Sequence, residues 1–147
     1  MCRCVRLAEG SIRHSVRMDD ASDAIWNRAA MQDDGPDLRS GDEALANLLR
    51  VHSLAMSGGL LDAVQRLTPE QVSLGVDGYE YFDLADAAIV VRDLQAVLGR
   101  EGLSDATLEA LEVEADRLYG LAVPMDQIIV DRFEQRLAAD PSAFASV

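Results

Sequence analysis

Apolar residues recur at steps of three and four along almost the whole chain, and no segment shows a sustained strand-like alternation rich in Val, Ile and Thr. The spacing predicts an all-α chain of about seven helices in a single compact domain. Ser22 can cap a first helix carrying Ile25, Trp26, Ala29 and Ala30, which stops before the loop Asp33-Asp34-Gly35-Pro36. Ser40 and Glu43 have the spacing of a capping box and open a second helix, with Leu45, Leu48, Leu49 and Met56 on one face. Gly58-Gly59 ends it. Leu60, Leu61, Val64 and Leu67 form a short third helix. Thr68-Pro69-Glu70-Gln71 then starts a fourth, with Thr68 as cap, Pro69 in the first turn and Gln71 reaching back.

The stretch from Gly78 to Phe82 reads as a connection whose aromatics, Tyr79, Tyr81 and Phe82, plug the core. Asp83 is placed to cap a fifth helix through Ala87, Val90, Val91, Leu94 and Leu98, with Gly99 and Gly102 near its end. Ser104 opens a sixth, whose apolar face is Leu108, Leu111, Ala115, Leu118 and Tyr119. Pro124 starts a seventh, carrying Ile128, Ile129, Phe133 and Leu137, and Pro141 stops it before a weakly patterned tail, residues 141–147. At 147 residues the chain suits one core of ordinary size.

Charge changes the picture more than composition does. There are 26 acidic residues against 13 basic ones, all of them Arg, for a net charge of −13. Residues 1–17 carry Arg3, Arg6, Arg13 and Arg17 against Glu9 alone, so the domain expected over residues 18–140 is more acidic than the total suggests. This first stretch reads as a tail or an upstream extension ahead of Met18. The acidity argues against direct contact with nucleic acid or an anionic membrane and favours a basic protein partner. No run approaches the roughly 18 apolar residues of a bilayer span, and the N-terminus lacks the apolar stretch of a secretory signal, so a cytoplasmic protein is the expectation. Cys2 and Cys4 match neither a disulfide framework nor a zinc site and read as incidental.

Candidate chemistry is sparse. His52 lies on the same helical face as Leu45, Leu48 and Met56, and reads either as a satisfied core histidine or as a functional group needing a carboxylate partner. An enzyme would need a pocket that gathers His52 with a carboxylate such as Asp62 or Glu80. Ser57 and Ser73 have no activating neighbour in sequence, so no catalytic, cofactor or metal site is assigned and the protein is expected not to be an enzyme. On the sixth helix Asp105, Glu109, Glu112 and Asp116 follow steps of four, three and four and form one acidic stripe beside the apolar face. Such a stripe is either a solvated face or an imitation of a phosphate row, DNA carrying one phosphate charge per ~3.4 Å of axis per strand. Asp33, Asp34 and Asp37 form a second acidic group that capping does not explain.

Gly58-Gly59 reads as a tight corner between two packed helices, since no Lys or Arg follows to hold a phosphate. Around it, Leu54-Ala55-Met56-Ser57-Gly58-Gly59-Leu60-Leu61-Asp62-Ala63 resembles the helix break of a bacterial DNA-mimic protein family, small acidic helical proteins with an Asn-Gly-Gly-Phe signature. Tyr79-Glu80-Tyr81-Phe82, followed by Asp86-Ala87-Ala88, is similar to the region where that family resumes a long helix. Ser57 stands in place of the family's Asn and Leu60 in place of its Phe, which marks a divergent member. The resemblance implies an all-helical homodimer whose surface acids occupy the DNA site of a basic protein, with Gly58 and Gly59 as a structural break. Two functional readings follow. The first is an acidic interaction module that competes for a DNA-binding surface through Asp105, Glu109, Glu112 and Asp116, helped by Asp33, Asp34 and Asp37. The second is a structural or immunity-like protein that binds through an apolar patch, its acidity serving solubility.

Overall fold

The computed structural model describes residues 20–147, so the readings of residues 1–17 as a tail and of Cys2 and Cys4 as incidental fall outside the described residues. Seven α-helices follow one another: α1 (Asp20–Ala30), α2 (Ser40–Gly58), α3 (Leu60–Arg66), α4 (Pro69–Tyr81), α5 (Ala85–Leu98), α6 (Asp105–Ala122) and α7 (Asp126–Ala139), then a 3₁₀ turn, Pro141–Ala143. No strand occurs among the described residues. None of the helices is long and apolar enough to cross a membrane.

The second helix is the axis of the domain. Leu45, Leu48, Leu49, Val51, His52 and Ala55 are all buried on it, and α1, α3 and α4 pack around it. Met56, expected on that face, is instead 56 % exposed, because the helix ends two residues later and its last turn leaves the core. The closest approach is to α4: a Cβ on Gly78 would sit 2.5 Å from the Ala44 carbonyl oxygen, so only glycine lets the two backbones meet there. Gly78 to Tyr81 are the last turn of α4 rather than a connection, yet Tyr79 and Phe82 do plug the core.

The helix ends show which polar residues are structural. Thr68 Oγ1 accepts from the Gln71 N–H and Gln71 Oε1 from the Thr68 N–H, the capping box read from the sequence. Ser22 is not a cap; it is buried inside α1, which starts at Asp20. At α2 the N-cap is Arg39, and the acid that reaches back is Asp42 rather than Glu43: its Oδ2 accepts from the Arg39 N–H at 3.0 Å. Asp83 does not cap α5 either. It adopts a left-handed φ of 57° in the turn, and Leu84 takes the N-cap position. Helix α7 begins at Asp126, two residues after Pro124, with Met125 at the N-cap.

Phe133 on α7 has its ring against Trp26, Phe82 and Phe144, with centroids 5.7, 6.4 and 5.6 Å away. The C-terminal segment is thereby part of the core: Ala143, Phe144 and Ala145 are buried. Its backbone is held by Asp42, whose Oδ2 accepts from the Ala145 N–H at 2.7 Å, and by Arg28, which donates to the Ala145 and Ser146 carbonyls.

Candidate functional site

Helix α6 is the least buried of the long helices. Ser104 caps it by accepting from the Thr107 N–H, and Asp105 sits in the first turn, where the helix dipole favours an acid. Of its 18 residues only Ala115 and Tyr119 are buried; Leu108 and Leu111 are half-buried and Leu118 is 36 % exposed. One edge of α6 packs on α3 and the other on α5, which leaves a broad surface in water.

Asp105, Glu109 and Glu112 are exposed along this helix, spaced over roughly 10 Å at about 1.5 Å per residue. None of the three forms an ion pair among the described residues. Of the nearest arginines in sequence, Arg100 lies five residues before Asp105 and forms no ion pair with it, and Arg117 is committed to Glu114 by two bonds, Nε to Oε2 at 2.9 Å and Nη2 to Oε1 at 2.6 Å. That pair holds the Glu114 carboxyl below its ordinary range. The row is therefore a rigid and uncompensated line of three carboxylates.

Asp116, the fourth residue of the expected stripe, is exposed as well but has a second task. Its Oδ1 accepts from the Leu60 N–H at 3.0 Å, the first helical residue after the Gly58-Gly59 break. Gly59 has φ +90°, and a Cβ there would lie 3.2 Å from the Asp116 carboxylate. Thus two features singled out separately in the sequence meet in space: α3 has no capping side chain of its own, and Asp116 supplies one from α6. The anion reading of the glycine corner is excluded, since this N-terminus already holds a carboxylate. Asp116→Ala is expected to cost about 1 kcal/mol, as for loss of a helix cap, measured by urea denaturation; an unchanged midpoint would remove this role.

Asp33, Asp34 and Asp37 are exposed in the loop between α1 and α2. The structure does not join them to the row. The loop sits beside the C-terminal segment, where Asp37 shares a cleft of about 510 Å³ with Arg28 and Arg39, whereas α6 packs on α3 and α5. No match to the chain was found among protein-family models, curated proteins or solved structures.

On its other edge α6 forms a groove with α5, about 280 Å³, floored by Leu94 and Ala115 and walled by Ile89, Val97, Leu111 and Leu118. Ile89 is 48 % exposed, and Val113 and Leu121 on α6 are 71 % and 70 % exposed. Asp93 and Glu114 stand at the groove's rim.

A polar chain, buried at Tyr79, Tyr119 and His52 and open to water at Asp126, runs through the same helix. His52 Nδ1 lies 2.8 Å from the Tyr119 hydroxyl and His52 Nε2 lies 2.8 Å from Asp126 Oδ1, while the Tyr119 and Tyr79 hydroxyls are 2.5 Å apart. One arrangement of protons satisfies the whole line: Tyr79 O–H donates to Tyr119, Tyr119 O–H to His52 Nδ1, and His52 Nε2–H to Asp126. Burial pushes both tyrosine hydroxyls above their ordinary pKa. The carboxylate partner of His52 is thus Asp126. Asp62 is engaged with Arg66 and Glu80 with Arg92. The partnership escapes a sequence reading because 74 residues separate the two. The clefts described above are lined by other residues, and the chain ties α2, α4, α6 and the start of α7 to one another. Among the described residues no group of three or more His, Cys, Asp or Glu is placed to hold a metal ion.

Proposed function

We propose that the protein is an acidic interaction module that binds a basic protein partner across α6, its carboxylates taking the place of nucleic-acid phosphates on the partner's surface. The observation that carries this reading is the row of Asp105, Glu109 and Glu112, exposed on a helix pinned at Asp116 and Tyr119 and paired with no arginine among the described residues. Keeping like charges aligned costs an isolated helix about 0.2–0.5 kcal/mol per pair, a cost that a cationic partner would reverse. Association would be steered over long range by the net charge of −13 and would weaken with salt. Three carboxylates of the array have no protein partner, Asp116 is exposed but shared with the α3 corner, and the Asp33, Asp34 and Asp37 loop serves as a separate acidic surface.

Immobilised protein exposed to cell extract at low and at high ionic strength tests this. Retained proteins should be basic, leave as salt rises and be displaced by duplex DNA. In the double variant Glu109→Gln, Glu112→Gln the affinity at low salt should fall on the order of tenfold, two exposed charge contacts being worth up to ~1 kcal/mol each. Retention that ignores both salt and DNA would refute the reading. The α5–α6 groove supports a second one: apolar side chains of a protein partner seat between Ile89 and Leu118. That contact would survive high salt and be lost in Leu118→Ser.

A further inference from the structure

A cleft lies where α3, α4, α5 and α6 converge, and has no part in the acidic row. It encloses about 580 Å³, within the roughly 300–1,000 Å³ typical of small-ligand sites. Val72 forms its floor and is buried. Leu67, Leu98, Leu103 and Leu108 line it from four successive parts of the chain, and each is only half-buried. Four leucines left partly in water around one opening form a surface that an apolar body would complete.

Among the described residues the single cation on this cleft is Arg100. In so acidic a chain most described arginines are engaged. Arg28, Arg66, Arg92 and Arg117 hold carboxylates, Arg39 donates to the Ser142 carbonyl, and Arg136 lies over the Tyr81 ring. Arg100 is exposed and makes no ion pair among the described residues, although Glu101 and Asp105 are close in sequence; neither of those acids lines the cleft. A guanidinium presents paired donors matched to a carboxylate or sulfonate.

We propose that this cleft binds a small apolar anion, its hydrocarbon body against Val72 and the four leucines and its acidic group on Arg100. The charge separates this site from the α5–α6 groove, whose rim of Asp93 and Glu114 suits the opposite sign.

The test is titration of the full chain with the fluorescent apolar anion anilinonaphthalene sulfonate, followed by displacement with decanoate and with decanol. One saturable equivalent is expected, displaced by decanoate and far less by decanol. Arg100→Gln should weaken it about tenfold, the scale of one lost charge-assisted hydrogen bond, and Leu103→Trp should block it by filling the opening. Circular dichroism of both variants checks that the helices persist. Absence of saturable dye binding would overturn the proposal, as would binding indifferent to both substitutions. Equal displacement by decanol would overturn the assignment of an anion. None of these outcomes depends on the acidic row.

Discussion

Asp42→Ala is expected to destabilise the fold by about 3–5 kcal/mol, the scale for removing one member of a buried ion pair. Asp42 is 2 % exposed, and three separate parts of the chain converge on its carboxylate. Oδ1 takes the Arg28 guanidinium of α1 at 2.6 Å, and Oδ2 takes the N–H of Arg39 at the start of α2 and that of Ala145 near the C-terminus. Removing it strands a guanidinium that is only 20 % exposed, leaves two backbone donors without partners, and frees the segment that carries Phe144 into the core. Asp42→Asn keeps an acceptor and should cost less. Urea denaturation followed by circular dichroism measures both. A loss below ~1 kcal/mol for the alanine variant, the ordinary value of one hydrogen bond, would show that the carboxylate is not the junction described.

Tyr119→Phe should also have a large effect on stability, about 2–6 kcal/mol, because a single oxygen serves two buried neighbours. Without it His52 Nδ1 loses its donor and the Tyr79 hydroxyl loses its acceptor, each costing about 1–3 kcal/mol when left buried and unpaired. Adding Tyr79→Phe to the variant removes one of the stranded groups and should restore part of the loss, a coupling that a double-mutant cycle reads directly. The same tyrosines give the protein an alkaline limit. Burial holds their folded pKa values above the ordinary tyrosine value of 10.0, so the unfolded chain releases these protons first. Stability is therefore fully present below pH 10 and falls as the pH rises beyond it. The Tyr119→Phe variant should show a shallower fall. Identical alkaline slopes in the two proteins would contradict the account of the buried chain.

The helices were legible because apolar spacing and end signals act locally. Thr68 with Gln71, and Ser104 with Thr107, are bonds between residues three apart, and both occur as the sequence implies. Local reasoning failed where an acid was recruited from far away. Glu43 had the textual spacing of a capping partner, but the tertiary pull of Arg28 and Ala145 selects Asp42. Asp116 fits an exposed stripe by helical periodicity, yet the Gly59 backbone, 57 residues earlier, needs its oxygen at Leu60. Phe144 lies beyond the last patterned helix and so read as tail, although its ring packs on Phe133. His52 was legible as a core histidine but its partners were not, since Tyr119 and Asp126 come to it only when α6 and α7 fold back on α2. All four carboxylates of the stripe are exposed, as its periodicity implies, and only the second task of Asp116 was not legible.

The proposal that the α6 row is a binding surface, rather than a share of the overall charge, is tested most directly by a charge-matched comparison. The affinity of the captured basic partner would be measured at low ionic strength for the native chain, for Glu109→Gln with Glu112→Gln, and for Asp77→Asn with Asp86→Asn. The last pair is exposed, makes no ion pair and lies on α4 and α5. The account predicts loss of affinity, and of competition by DNA, in the α6 variant alone. Equal losses in both variants, or none in either, would contradict it.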